Sequence, residues 1–133
     1  FQATGKWLST QDDDESFGRD RMSTHSNYRY SEARWVFDVN PGRYRVWATW
    51  VPQQHFCNAS PFMIFDPRQG VLCSKRVDQS VAPDDLISDG ASWEQIFETT
   101  VSGNTLDVRL SNDVFRGTVI ADAIRIERLS RSD

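Results

Sequence analysis

Asp122 stands among isoleucines at period two. Ile120, Asp122, Ile124 and Ile126 fall on one side of an extended segment. A carboxylate on an apolar face is costly unless hydrogen bonds, an arginine or a cation satisfy it. Two chemistries remain open for Asp122: it accepts hydrogen bonds or pairs with an arginine and pins the fold, or it binds a metal. A second group of oxygens, Asp12-Asp13-Asp14-Glu15, is of the kind that hard cations seek. Asp122 and Asp13 are therefore the candidate metal ligands, and a structural calcium is the cofactor they would hold. The acidic run lacks the spacing and central glycine of an EF-hand loop, and a solvated acidic loop is its plainer reading.

Flat rings form the second chemistry, because sugars stack their CH faces on aromatic side chains. Five Trp and three Tyr are many for 133 residues. Trp35, Tyr44 and Trp50 fall on inward faces and read as core. Trp47 points away from Val46 and Ala48 and is the candidate exposed platform. Trp7 and Trp93 lie at strand ends, balanced between core and site. Around Trp47 and Trp93, the side chains of His55, Asn58, Asp78, Gln79 and Arg116 could bond sugar hydroxyls at the rim of a site. Asn58-Ala-Ser60 and Asn112-Asp113 also have a structural reading as turn-fixing Asx motifs, and Asp78-Gln79 could equally end a strand.

Catalytic patterns are absent from the sequence: no Gly-x-Ser-x-Gly, His-Glu-x-x-His or phosphate loop occurs. His55 lies two residues from Cys57, but a thiol enzyme needs an orienting third group and a depressed thiol pKa. The chain reads as non-catalytic. Cys57 and Cys73 are too few for a disulfide scaffold; one bridge and two buried thiols both remain open.

These residues must be carried by strands. No window of a dozen residues has helical spacing, whereas short alternating runs recur between turn residues: Trp35–Val39, Tyr44–Trp50, Phe62–Asp66, Val71–Val77, Trp93–Val101, Thr105–Leu110 and Val119–Arg128. Asn40-Pro-Gly42 and Gly103-Asn104 supply turns between them. Such a rhythm predicts an all-β, antiparallel sandwich. Residues 9–28 and 82–92 are polar and break the rhythm as long loops, where binding usually sits. The length suits one domain, read as a module over 1–128 with 129–133 as tail or linker. The net charge of −4 argues against nucleic acid. No apolar run approaches the ~20 residues of a membrane helix. Phe1-Gln-Ala-Thr4 does not resemble a leader, so the chain reads as a mature secreted fragment or an excised module.

The order of landmarks resembles the golvesin C-terminal / xanthan-lyase carbohydrate-binding-like domain. Its pieces here are Gly5-Lys-Trp7, Tyr28-Arg-Tyr30, Ala33-Arg-Trp35, Gly42-Arg-Tyr44-Arg-Val46, Trp50-Val-Pro52, Asn58-Ala-Ser-Pro-Phe62, Val77-Asp-Gln79, Trp93, Leu110-Ser-Asn112 and Ala121-Asp-Ala-Ile-Arg-Ile126. Phe97 departs from it, standing where the family usually has Gly, and His55-Phe-Cys57 is not typical. The resemblance implies a jelly-roll β-sandwich of the galactose-binding-like type. It also implies a non-catalytic module of secreted or cell-surface bacterial proteins, with a polysaccharide and neighbouring domains as partners. A competing expectation is a spacer or protein-interaction domain, with a flat apolar patch around Trp47, Met63 and Phe65.

Overall fold

The computed structural model describes residues 1–10, 21–88, 90–114 and 116–129. Strands β1 (Gln2–Thr4), β4 (Glu32–Asp38), β6 (Ser60–Asp66), β7 (Gly70–Val77) and β10 (Thr105–Ser111) form a five-stranded sheet in the order β1-β4-β10-β6-β7. Strands β5 (Gly42–Thr49), β8 (Leu86–Ser88), β9 (Ala91–Val101) and β12 (Ala123–Arg128) form a four-stranded sheet, β12-β5-β9-β8. A three-stranded sheet, β11-β3-β2, is built from β2 (Leu8–Thr10), β3 (Arg21–His25) and β11 (Thr118–Ala121). These strand pairs are antiparallel, and an isolated parallel bridge joins Phe56 to Thr118. No helix occurs among the described residues, so none is long and apolar enough to cross a membrane. The architecture is the antiparallel sandwich that alternation predicts, of the jelly-roll type that the family resemblance implies.

Period-two patterning builds the core. Ala33 and Trp35 on β4, Phe62 and Ile64 on β6, and Leu106, Val108 and Leu110 on β10 are buried on one side of the five-stranded sheet. They pack in one cluster with Tyr44, Val46 and Ala48 of β5 and Ile96 and Phe97 of β9. A β-bulge shifts the register of β5 and β9 between Val46 and Trp47, so that Val46 faces Phe97 but Trp47 faces Gln95. The extra residue sends Phe97 inward and Gln95 and Trp93 to the outer face. Phe97, the departure from the family pattern, is thereby a core residue.

The structure differs from the alternation pattern in two ways. Strands β1, β2, β3 and β8 lie where no alternating run announces them; at three to five residues each, they are held by their partners rather than by their own patterning. The last strand is divided. Residues 118–121 pair with β3, while 123–128 pair with β5, so the chain changes sheets at Asp122.

The outer face of the five-stranded sheet carries a charge cluster. Asp107, 3 % exposed, accepts from Arg34 Nη2 at 2.7 Å and from Arg109 Nε at 3.2 Å and Nη2 at 3.0 Å. Arg109 also lies 4.0 Å over the Phe65 ring and 3.7 Å from Glu32. Burial pushes the Asp107 carboxyl up, but the hydrogen bonds from Arg109 and Arg34 outweigh it and hold the group below its ordinary value. A depressed folded-state pKa contributes stability above the unfolded-state value of about 3.9 and loses it as the pH falls through the folded-state value. Asp107→Asn is expected to cost about 3 kcal/mol at pH 7, since it leaves Arg34 without the carboxylate it bonds and Arg109 with Glu32 alone. In urea melts from pH 7 to pH 2, that deficit should shrink below about pH 4. A deficit independent of pH would show that the ion pair is not its source.

Candidate functional site

The sandwich is open along two edges, and each edge holds a cleft. At the first edge β1 and β4 oppose the segment that leaves β11 for β12. The cleft there has a volume of about 380 Å³ and is lined by Phe1, Arg21, Trp35, Phe37, Asp122 and Ile124, among others. Inward alternation on β4 delivers Trp35 and Phe37 to it. The Phe1 ring, 60 % exposed, lies against Trp35 with centroids 5.1 Å apart and planes at 54°. Asp122 is half-buried at the point where the chain changes sheets, with Oδ1 shielded from solvent. An open aromatic ring, a carboxylate and a guanidinium thus share one concavity.

At the second edge β7 opposes the β8–β9 hairpin. This cleft has a volume of about 390 Å³ and is lined by Trp50, Lys75, Asp78, Val81, Asp84 and Glu94, among others. The connection along its rim is pinned at several points. Trp50 Nε1 donates to the Val81 carbonyl at 2.8 Å, Ser80 N to Asp78 Oδ1 at 2.9 Å, and Asp85 N to the Trp93 carbonyl at 2.9 Å. Asp84, Asp85 and Glu94 bring carboxylate oxygens within 4.8 Å of one another. Burial, and then the neighbouring charges of Asp85 and Asp84, push the Glu94 carboxyl up, opposed by the Asp84 backbone N–H.

The residues expected to bind ligand separate into groups. Trp47 is on the outer face of β5 as alternation predicts, yet it is 7 % exposed and is no platform. Its neighbours across the sheet, Arg125 on β12 and Gln95 on β9, stand beside it on the same face with long side chains. Trp93 is 2 % exposed, its indole donating to the Ser88 carbonyl at 3.0 Å. Gln79 is 0 % exposed, with its amide spent inside the protein. Asp78 is exposed and lines the second cleft.

His55, Asn58 and Arg116 are exposed, and their segments meet at one end of the sandwich. Cys57 N donates to Thr118 O at 2.7 Å, Thr118 N to His55 O at 3.4 Å, and Gln79 N to Cys57 O at 2.9 Å. Gly117 makes this approach possible, at φ +106° with room for a Cβ only 3.0 Å from Cys57 Cα. Both cysteines are free, Cys57 buried and Cys73 half-buried; the Cys57 thiol faces the core while His55 is exposed. The expected patch around Trp47, Met63 and Phe65 does not exist as one surface, since Trp47 belongs to the four-stranded sheet and the other two to the five-stranded sheet. Asp13 lies outside the described residues. Asp122 lines the first cleft, whereas the carboxylate trio lies by the second.

Sequence reasoning missed both clefts. Trp35 and Trp50 read as core and are core, but each also closes the floor of an edge cleft. The polar stretch 82–92 is the sequence signal for the second cleft, through Ala82 and Asp84; Glu94 lies beyond it, on the run read as a strand.

The sequence matches the golvesin C-terminal domain family over residues 1–128. Among solved structures, a Paenibacillus xanthan lyase is similar with a TM-score of 0.71 at 17 % identity. The match covers 97 % of this chain and 12 % of that one, a likeness of fold to a small part of a larger protein. No curated protein matches the sequence.

Proposed function

The chain belongs to the golvesin C-terminal domain family, and on that premise we propose that it is a non-catalytic carbohydrate-binding module. Its place would be in a larger bacterial protein, secreted or on the cell surface. The observation that carries this reading is the first edge cleft, where the open Phe1 ring is backed by Trp35 beside Arg21 and Asp122. A sugar ring laid on Phe1 would bury its CH face. Arg21 would donate to ring hydroxyls and Asp122 would accept from them, the arrangement of an apolar pocket with a few placed polar groups. The competing spacer reading rests on Phe65 and Val71, neighbours across the five-stranded sheet, with Val36 beyond Asp107 in the same row; Val36 is 42 % and Val71 54 % exposed.

The solved neighbour is a xanthan lyase, so xanthan is the first probe in a pull-down on insoluble and immobilised polysaccharides. Wild-type protein is expected to be retained by at least one member of the panel. Phe1→Ala and Asp122→Asn should each weaken retention roughly tenfold, about 1.4 kcal/mol, with unchanged melting for Phe1→Ala. Retention is expected to survive a chelator; loss in chelator alone would make calcium part of the site. No retention on any polysaccharide would sink the carbohydrate reading in favour of the spacer.

A further inference from the structure

We propose that the second edge cleft is an independent carbohydrate subsite, so that the module is bivalent, with binding surfaces on opposite edges of the sandwich. The inference rests on the carbohydrate-binding reading above and adds a separate site with its own chemistry. The two clefts are of similar size, about 380 and 390 Å³, and each has a buried tryptophan in its wall, Trp35 in one and Trp50 in the other. They lie at different edge strands: the first beside β1, the second beside β7 and β8. The whole width of both sheets separates them.

The second cleft has apolar and polar surface in the right places for a sugar. Val81 is 58 % exposed at its rim, above the Trp50 indole whose N–H it fixes. Val81 offers the apolar surface to a ring face, and the buried Trp50 behind it holds that surface in place. Lys75 is an exposed donor on β7, and the carboxylates of Asp78, Asp84 and Glu94 are acceptors on the other sides. A carboxylate accepts from two neighbouring hydroxyls at once. The pinned connection from Asp78 to Asp85 means little ordering is required on binding.

Charge decides the ligand class. Arg76 lines the cleft as well, with its Nη1 directed to the carbonyls of Ala59 and Asp113 at 3.2 and 3.4 Å and its charge retained. Lys75 and Arg76 face three acids, Asp78, Asp84 and Glu94, so the lining keeps an excess of negative charge and disfavours a uronate. It takes a neutral, hydroxyl-rich glycan.

The tryptophan indole N–H signals report each cleft separately by NMR. The intact chain is titrated with cellotetraose, tetragalacturonate and a xanthan-derived oligosaccharide. Cellotetraose is expected to move the signals of both Trp35 and Trp50, and tetragalacturonate to leave Trp50 unmoved. The pair of changes Lys75→Ala and Glu94→Gln should weaken binding at Trp50 at least tenfold without altering the response of Trp35. A Trp50 signal that stays still with every titrant that moves Trp35 would overturn the second subsite and leave the first standing. Neither signal moving with any titrant would remove both. A Trp50 response to tetragalacturonate as strong as to cellotetraose would overturn the assigned ligand class.

Discussion

Asn112→Leu is expected to destabilise the sandwich by about 4 kcal/mol, because it strips several buried backbone groups of their partners at once. Asn112 is 5 % exposed. Its Oδ1 accepts from Ser31 N at 2.8 Å, and its Nδ2 donates to the carbonyls of Arg29 at 2.9 Å and His25 at 3.0 Å. The Tyr28 carbonyl and Thr24 Oγ1 lie at 3.4 Å from the same nitrogen. One amide therefore ties the end of β10 to the whole connection between β3 and β4. Leucine fits by volume but satisfies none of these groups, and each buried orphan costs about 1–3 kcal/mol. The melting temperature should fall by roughly 15 °C. Asn112→Asp, which keeps an acceptor and loses the donors, should do no better. A loss under about 1 kcal/mol would mean that water replaces the amide and that the connection is not held through it.

Gln79→Met should cost about 3 kcal/mol by the same physics at a different joint. The side-chain amide of Gln79 serves Ile120 as a strand would: Oε1 accepts from Ile120 N at 2.9 Å and Nε2 donates to Ile120 O at 2.8 Å. Ser60 Oγ donates to the same Oε1 at 2.7 Å, and Gln79 N reaches Cys57 O at 2.9 Å. Ile120 stands opposite Ser23 in the β11–β3 register, but its own N–H and C=O are both taken by Gln79, so without the amide they are buried with no side-chain partner. Methionine keeps the length and flexibility of the side chain and removes the amide, which isolates the hydrogen bonds from packing. Thermal unfolding of the two proteins compares them directly. Equal stability would show that the Gln79 amide is dispensable to the β11 joint.

Sequence periodicity alone determined which faces of β4, β5 and β10 are buried. The reason is local: side chains alternate on any extended strand, and one side of these runs is markedly more apolar than the other. On β6, where Met63 and Phe65 alternate with Phe62 and Ile64, both sides are apolar and only the stacking of the sheets chose between them. Periodicity also determined that a carboxylate sits at Asp122 among apolar neighbours. It announced Asn112 and Gln79 only as polar strand-end residues, because a side-chain amide looks the same in sequence whether it meets water or a buried backbone. Tertiary structure decided the rest. Alternation assigned Trp47 to the outer face, but it carries no information about what stands beside that face, and Arg125 and Gln95 come from strands remote in the chain. The bulge opposite Val46 and Trp47 turned Trp93 away from Phe97, although their spacing places them on one side. Strands β1, β2 and β8 are too short to carry a pattern and exist through their partners. The two clefts are products of sheet edges: Trp35 meets Asp122, and Trp50 meets Lys75 and Glu94, only once the two sheets are stacked. A site assembled across a sandwich edge has no local period, so its residues emerge from the packing of the sheets and not from the order of the chain.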